Sequence, residues 1–290
     1  MQQLFDTQLI IERRRRALRQ AVPGADFLLA RVADDLAERL SVIERRFERA
    51  AVLFPASALP VEALAMSGKV GEIVRVEAHP ELLQGAPGLV ATPETVPFEP
   101  ASLDLAVSLM ALQDANDLPG MLVQVRRALR PDGLLLAAFA GAGTLAELRD
   151  SLLAAETEVS GGASPRVSPF TDVRDAGALL QRAGFALPVA DLEPLTVRYG
   201  GLPALVRDLR AMGATNALLD RSRKPASRAL LVRADAIYRG RHADADGRIR
   251  ATFNIVWMSG WVPHASQQKP LKPGSATMRL SEALKRSGGE

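Results

Sequence analysis

Five short apolar runs alternate with helical segments between residues 50 and 140, and this alternation constrains the fold more than any other feature. The runs predicted as strands are residues 50–54, 72–77, 89–91, 103–109 and 134–139. Leu103–Leu109 is almost continuously apolar, as expected for a strand that is buried on both faces of a sheet. Strands that alternate with helices predict a parallel, doubly wound α/β sheet with right-handed crossovers.

The loop after the first predicted strand contains no glycine. Residues 54–60 have the sequence FPASALP. A strand, a loop of small residues and a helix are how a nucleotide-binding α/β domain begins. Ala56, Ser57 and Ala58 are small, but their Cβ atoms resist the positive φ that a tight phosphate or adenosyl loop needs. The loop therefore leaves two alternatives open, a cofactor enzyme or an enzyme fold that has lost its cofactor.

Helical and strand patterns continue on both sides of this region. Helices are predicted at residues 4–20, 26–47, 144–158, 172–183, 202–212 and 229–242, and short strands at residues 185–192 and 195–199. Ile249–Trp261 has the strongest β pattern in the chain and is predicted as the antiparallel strand at the sheet edge.

These patterns predict three segments. Residues 1–48 form an N-terminal helical segment, and residues 49–262 form an α/β domain. A small helical cap is inserted into that domain at about residues 143–183 and 202–242. Residues 263–290 form a loose C-terminal tail.

The composition is that of an ordinary globular protein and excludes some kinds of chemistry. Hydrophobic residues make up 48% and charged residues 24% of the 290 residues, which is ample material for a core. The absence of cysteine excludes disulfides, thiolate nucleophiles and cysteine-ligated metals. No apolar run approaches roughly 18 residues and the N-terminus has no signal-peptide core, so we expect a cytoplasmic protein.

Four consecutive arginines, Arg13, Arg14, Arg15 and Arg16, lie in the first predicted helix. One interpretation is a solvated helix face. Another is peripheral contact with acidic lipid at the inner membrane, or with an acidic partner. The net charge of +3 is modest, so nucleic acid is an unlikely partner.

The three histidines do not predict a metal site. His79, His242 and His264 are scattered, with no carboxylate at ligand spacing. His79 lies near Glu77 at the end of a predicted strand, where open α/β sheets bind ligands, so a functional histidine and a surface turn residue both stay open.

Several motifs carry a resemblance to a known superfamily. PFEPASLDLAVS (97–108), NDLPG (116–120) and LRPDG (129–133) resemble the fourth-strand and fifth-strand motifs of class I S-adenosylmethionine-dependent methyltransferases. The segments that resemble one branch of it are residues 145–149, 164–170, 182–185, 208–216, 246–248, 252–253, 260–261, 264–268 and 273–276. That branch contains the methyltransferase-like complex I assembly factors and the malonyl-carrier-protein methyltransferases of biotin synthesis.

This resemblance covers nearly the whole chain and implies both a fold and a role. The implied fold is a seven-stranded methyltransferase sheet, mostly parallel with an antiparallel edge strand, plus N-terminal helices and a small helical cap. The implied role is that of the mitochondrial relatives, the assembly of respiratory complex I, where modification of an arginine on a subunit is the associated activity.

The chain departs from the family pattern at the implied cofactor site. The strand-end acid of the family falls on Val52, its first loop glycine on Phe54 and a later one on Ala58. The implied cofactor positions are Ala56, Ser57, Ala58, Glu77, Thr92 and Phe98. Glu77 keeps the acid that would hold the ribose hydroxyls, whereas Thr92 replaces the acid that would contact the adenine amino group. These departures argue against tight binding of S-adenosylmethionine.

The candidate residues for a substrate or a protein partner are Arg166, Asn116, Asp117, His264 and Gln267. Arg166 lies in a turn-rich segment, where it would either clamp an acid or a substrate loop, or fix the loop itself. The segment that contains His264 and Gln267 has no apolar pattern to explain its match to the family, which favours contact with a partner.

Three functions remain open from the sequence. The first is a methyltransferase-fold assembly factor for complex I, or a similar protein-binding role, with weak or absent cofactor use. The second is an active S-adenosylmethionine-dependent methyltransferase that acts on a protein or a small acid. The third is a peripheral or nucleic-acid-associated protein that uses the N-terminal arginines.

Overall fold

The computed structural model describes residues 3–267. The helices are α1 (Thr7–Gln20), α2 (Phe27–Ser41), α3 (Leu59–Met66), α4 (Leu118–Ala128), α5 (Ala146–Ser160), α6 (Val173–Arg182), α7 (Leu202–Ala211) and α8 (Arg228–His242). The strands are β1 (Phe47–Leu53), β2 (Val70–Glu77), β3 (Leu89–Val90), β4 (Leu103–Leu109), β5 (Leu129–Ala140), β6 (Ala186–Tyr199) and β7 (Ile249–Trp261). Short 3-10 turns follow β2 and β4.

The seven strands form one sheet in the order β3-β2-β1-β4-β5-β7-β6, which confirms the predicted fold class. The strand pairs from β3 to β5 are parallel, whereas β7 runs antiparallel to both β5 and β6. The antiparallel pairing at this side of the sheet is therefore confirmed. Ile249–Trp261 itself lies one place inside the edge, and β6 forms the edge.

Helices cover both faces of the sheet, which is why its central strands are apolar throughout. All seven residues of β4 are buried. On one face the core includes Leu36 of α2 and Leu64 of α3, together with residues of α5, α7 and α8. On the other face Val125 of α4 and Leu180 of α6 pack against the same strands.

Three predicted boundaries are wrong, for reasons that lie in strand pairing. β5 begins at Leu129 instead of at residue 134, because Leu129 pairs with Leu103 of β4. The second helix ends at Ser41 because Phe47 already belongs to β1, where it pairs with Val70. The two short strands predicted between residues 185 and 199 are one long strand, β6. Its prolines, Pro188 and Pro194, are tolerated because an edge strand leaves one row of backbone groups without a partner strand.

The segments predicted as a cap contain helices that pack on the sheet. α5 packs along α8 and both contact β7, whereas α6 packs against β6 and β7. The division of the chain into three segments stays a prediction, and the predicted tail from residue 268 onward lies outside the described residues. Between residues 3 and 267, none of the helices combines the length and the hydropathy that a membrane crossing requires.

Candidate functional site

The carboxyl ends of β1, β4 and β5 open into a cleft of about 1180 Å³, which we call the carboxyl-edge cleft. Its floor includes Ala56 after β1, Met110 after β4 and Ala140 at the end of β5. Its walls come from α1, the start of α2, α5, α7 and residues 166–170. Open parallel sheets bind their ligands at this edge.

The loop after β1 adopts the backbone conformation of a glycine loop although it contains no glycine. Phe54 has φ 54° and Ala56 has φ 55°, both in the left-handed region. Each non-glycine residue in that region costs about 1–2 kcal/mol. We predicted that the Cβ atoms of Ala56, Ser57 and Ala58 would resist positive φ, and this prediction is wrong for Ala56, where the fold around the loop imposes the conformation.

The side chain of Phe54 fills space beside this loop. It is only 5% exposed and lines a second cavity of about 50 Å³. Ile10 and Ile11 of α1 line one side of that cavity, while Ala78 after β2 and Pro93 after β3 line two other sides. These two sides come from the segments that the family resemblance assigns to the adenosyl group, and α1 covers them.

Glu77, at the end of β2, is fully buried and held by a neighbour on its own strand. Arg75 Nη2 donates to Glu77 Oε1 at 2.7 Å and to the carbonyl of Leu82 at 2.7 Å. Glu77 Oε2 has no hydrogen-bond partner among the described residues. Burial raises the pKa of Glu77, and the hydrogen bond and charge of Arg75 offset part of that rise.

The other implied cofactor positions lie apart from one another. Ser57 Oγ accepts a hydrogen bond from the backbone N–H of Leu59 at the start of α3, and Ala58 precedes that helix. Thr92 is exposed in the loop after β3. The ring of Phe98 lies 6.0 Å from the guanidinium carbon of Arg49, in the amino-terminal half of β1. The structure does not bring Phe98 to the carboxyl-edge cleft.

The arginines of α1 do not form a solvated face, so that interpretation is wrong for three of the four. Arg13 donates to the carbonyls of Thr215 and Asn216. Arg15 pairs with Glu81 at 2.6 Å. Arg16 is the exposed member of the four and lines the carboxyl-edge cleft.

Arg14 points between the two cavities and contacts Asp114, which lines both of them. Arg14 Nη2 lies 3.2 Å from Asp114 Oδ2, and Arg14 Nη1 donates to the carbonyl of Phe54 at 3.3 Å. Burial raises the pKa of Asp114, while Arg14 lowers it in part. A carboxylic acid with a raised pKa in a cleft is a candidate for proton transfer or ligand binding.

Sequence reasoning missed this pair, although a signal for it was present. Arg14 follows Ile10 and Ile11 by four and three residues, so it lies on the apolar face of α1 that packs against the protein. Asp114 follows β4 at the edge where such sheets bind ligands.

Asn116 and Asp117, predicted as partner-binding residues, hold the chain together in this structure. Asn116 Oδ1 accepts the backbone N–H groups of Leu4 and Phe5, each at 2.8 Å. Asp117 caps α4 by accepting the N–H of Gly120 at 2.9 Å. Asn116 therefore fastens the segment that leads into α1 beside the site.

Arg166 lies at the wall of the carboxyl-edge cleft, where a residue that clamps an acid would be expected. Its guanidinium, however, already binds a carboxylate of its own chain. Its Nε and Nη2 donate to Glu156 Oε2 and Oε1 at 3.0 and 2.5 Å. Ser164 also donates to Glu156. Arg166 lowers the pKa of Glu156 against the opposing effect of burial.

His264 and Gln267 lie at the opposite edge of the sheet. Because β7 runs antiparallel, its residue Ile255 pairs with Ala140 at the carboxyl end of β5, and its last residue, Trp261, pairs with Leu134, six residues nearer the amino end. Gln267 Nε2 donates to Asp132 at 2.9 Å, and His264 contacts Ser266. The structure thus separates these two residues from Arg166, Asn116 and Asp117.

Two further features bear on the chemistry of the site. Among the described residues, no three His, Cys, Asp or Glu side chains are grouped so that they could hold a metal ion. His79 Nδ1 accepts the N–H of Glu81 and thereby caps the 3-10 turn after β2, which is the role of a turn residue.

Comparisons with known proteins agree with this architecture. Residues 56–137 match the family model described as "Methyltransferase domain". A solved structure of a protein titled as a putative methyltransferase from Bacillus halodurans aligns with a TM-score of 0.55 at 13% identity, over 79% of this chain and 98% of that one. The sheet and these matches define a class I methyltransferase fold.

Relatives found by sequence indicate to which family within this fold class the chain belongs. Arginine-hydroxylase NDUFAF5, mitochondrial, from Mus musculus is 37% identical over 97% of this chain and 84% of that protein. The Dictyostelium discoideum protein of the same name is 45% identical, but the match covers 64% of this chain and 42% of that protein. A malonyl-[acyl-carrier protein] O-methyltransferase from Laribacter hongkongensis is 39% identical over 67% of this chain and 63% of that protein.

The chain belongs to the family of arginine-hydroxylase NDUFAF5, within the class I S-adenosylmethionine-dependent methyltransferase superfamily. This confirms the resemblance that the motifs indicated.

Proposed function

We propose that this chain is a methyltransferase-fold assembly factor for respiratory complex I, which binds a protein partner in the carboxyl-edge cleft without an adenosyl cofactor. The observation that carries the proposal is the conformation of the loop after β1. The loop has Phe54 and Ala56 at positive φ, while the buried ring of Phe54 and helix α1 occupy the space beside it.

The cavity beside Phe54 is too small for S-adenosylmethionine in this conformation, although Ala56 and Ser57 also line the much larger carboxyl-edge cleft. Pockets for ligands of that kind have volumes of about 300–1,000 Å³, whereas the cavity beside Phe54 has about 50 Å³. Glu77, the acid that the ribose would need, is fully buried and bound to Arg75. A charged hydrogen bond that is lost costs roughly 1.5–3 kcal/mol, so the lost contacts together weaken binding by several orders of magnitude.

Three properties of the cleft support a protein-binding role. The cleft is wide and open, and its walls contain both apolar side chains and arginines. Asn116 and residues 217–221 fasten α1 beside it, so one wall is formed by a firmly held helix. The relatives that share nearly the whole chain are named arginine-hydroxylase NDUFAF5, and the branch that the sequence motifs resemble contains the complex I assembly factors.

We place the protein in the cytoplasm, at the inner face of the membrane that holds complex I. This placement follows from the proposed partner. Of the four arginines Arg13–Arg16, only Arg16 offers an exposed guanidinium for contact with that surface.

Calorimetry with S-adenosylmethionine and a pull-down test the two parts of the proposal separately. We expect no heat of binding at micromolar cofactor, and micromolar binding would overturn the cofactor part. We expect the full chain to retain the purified complex I subunit or assembly intermediate, and consistent failure to retain it would overturn the partner part. The variant Arg46→Glu, altered at an exposed residue just before β1, controls for non-specific retention.

A second candidate function is an active methyltransferase. The observation that favours it is the unpartnered Oε2 of Glu77, a buried oxygen at the position where the family holds the ribose. This function requires Phe54 to turn away and Arg75 to release Glu77. Methyl transfer from labelled S-adenosylmethionine to a complex I subunit, lost in Glu77→Gln, would support it over the first proposal.

A further inference from the structure

The carboxyl-edge cleft carries an unequal distribution of charge. Its charged lining residues are Arg13, Arg14, Arg16, Arg166, Arg210, Asp26 and Asp114. Within the described chain, Arg14 is neutralised by Asp114 and Arg166 by Glu156. The remaining arginines are not neutralised in this way.

Arg13, Arg16 and Arg210 form the uncompensated group. Arg13 donates only to backbone carbonyls, those of Thr215 and Asn216. Arg16 and Arg210 are exposed and make no ion pair or side-chain hydrogen bond with the described residues. Burial and the nearby charges of Arg221 and Arg16 lower the pKa of Arg13, against the opposing charge of Asp6. The lining side chains include five arginines and two aspartates, so positive charge is in excess at the cleft.

The same cleft is lined by apolar side chains. Leu28 and Leu29 of α2, Leu148 and Leu152 of α5, and Val206 of α7 all face it. An occupant that satisfies both features has carboxylates beside apolar side chains. An arginine-rich segment does not, because like charges across an interface oppose binding.

We propose that the carboxyl-edge cleft binds an acidic, amphipathic peptide segment of a protein partner, whose carboxylates pair with Arg13, Arg16 and Arg210. This inference rests on the proposed function as a protein-binding fold and names the chemistry of the segment that is bound. It follows from charge complementarity, since arginine forms bidentate pairs with carboxylates. The cleft volume, at about 1180 Å³, exceeds the usual range for small-molecule pockets and accommodates several residues of a peptide.

The test uses the full chain and a fluorescein-labelled peptide of twelve residues in which Glu and Leu alternate. We expect the peptide to bind at low ionic strength, with an affinity that falls at least tenfold in 0.5 M salt because exposed charges are screened. The same peptide with Gln in place of Glu should bind at least tenfold more weakly. The peptide with Lys in place of Glu should not bind.

Charge reversal localises the site. Arg16→Glu and Arg210→Glu should each weaken the binding at least fivefold, because neither side chain makes an ion pair or a side-chain hydrogen bond with residues 3–267 that would be lost with it. Arg46→Glu is the matched control, an exposed arginine beside the first residue of β1 at the other edge of the sheet. It should leave the affinity unchanged. Thermal unfolding of each variant verifies that it is folded.

Four results would overturn the inference. These are equal binding of the Glu and Gln peptides, equal effects of Arg46→Glu and Arg16→Glu, competition of the peptide by millimolar phosphate alone, and binding of anionic vesicles with no binding of the peptide. The last would assign the arginines to a membrane surface. Calorimetry with S-adenosylmethionine is independent of all four, so failure of the cofactor part of the proposed function is recognised separately.

Discussion

The two edges of the parallel sheet use arginine in different ways. At the amino edge, Arg130 contacts both Glu48 and Asp104, and Arg45 pairs with Asp132. At the carboxyl edge, Arg16 and Arg210 line a wide cleft, and neither pairs with a carboxylate of the described residues. Arg45 and Arg130 at the amino edge thus pair with carboxylates of their own chain. Arg16 and Arg210 at the carboxyl edge do not, which leaves their charge available to another molecule.

The largest expected effect comes from a comparison of a buried and an exposed ion pair on strands β1 and β2. Arg75→Met leaves the carboxylate of Glu77 buried without its partner, and we expect the free energy of unfolding to fall by about 3–5 kcal/mol. Arg49→Met removes the ion pair between Arg49 and Glu72, whose side chains are 37% and 59% exposed. We expect this change to lower the free energy of unfolding by less than about 1 kcal/mol. Urea unfolding measures both. Equal losses would mean that burial does not distinguish the pairs.

A second test loosens the wall of the cleft. Asn116→Ala removes the acceptor for the N–H groups of Leu4 and Phe5, and we expect the free energy of unfolding to fall by roughly 2 kcal/mol. Hydrogen exchange should accelerate in residues 3–20 more than in the strands. The control is Thr92→Ala, an exposed residue of the same edge, which should stay within about 0.5 kcal/mol of the parent. Unchanged exchange in α1 would show that Asn116 does not hold it.

A third test uses the pH dependence of the Arg166–Glu156 pair. Arg166 lowers the folded-state pKa of Glu156 below its ordinary value of 4.5, so the pair stabilises the fold above that pH. The stabilisation disappears as the pH falls through the lowered pKa. Glu156→Gln should therefore lower the free energy of unfolding by about 1–2 kcal/mol at pH 7 and by nearly nothing at low pH, as measured by urea unfolding at each pH.

The control for this pair is Glu158→Gln. Glu158 is bound by Arg233 in an exposed position, and its replacement should have a much smaller effect. A difference between Glu156→Gln and the parent that does not change between pH 7 and pH 3 would contradict the assignment.

The smallest expected effect concerns the loop after β1. Ala56→Gly relieves a left-handed backbone, and we expect the free energy of unfolding to rise by about 0.5–1 kcal/mol. Ala63→Gly, in the interior of α3, should lower it by about 1 kcal/mol. Chemical denaturation of the two variants measures both changes. A loss in both would mean that Ala56 is not strained.

The fold could be predicted from the sequence because its signals are local. Apolar runs of strand length recur between helices, and the pairing of parallel strands follows from that order. The length of β6 and the end of α2 could not be predicted, because both depend on which partner strand accepts the residue. Phe47 is a strand residue only because Val70 lies beside it.

The candidate site could be predicted only in its position. The loop without glycine was recognised, but its positive φ at Phe54 and Ala56 was not, since propensity disfavours what the surrounding fold imposes. The arginines of α1 were assigned outward because charge is usually solvated. Their carbonyl and carboxylate partners come from residues about 40 to 200 positions away, which no local pattern reports.

The attachment of α1 has a consequence for the order in which the protein is made. Phe5 and Asp6 contact Asn116, Ala217 and Arg221, so the partners of this segment are separated from it by up to 215 residues. A ribosome adds residues in order, and contacts of large sequence separation form late. Helix α1 is synthesised long before these partners, so it docks only when most of the following chain has been made, and until then the cleft lacks one wall.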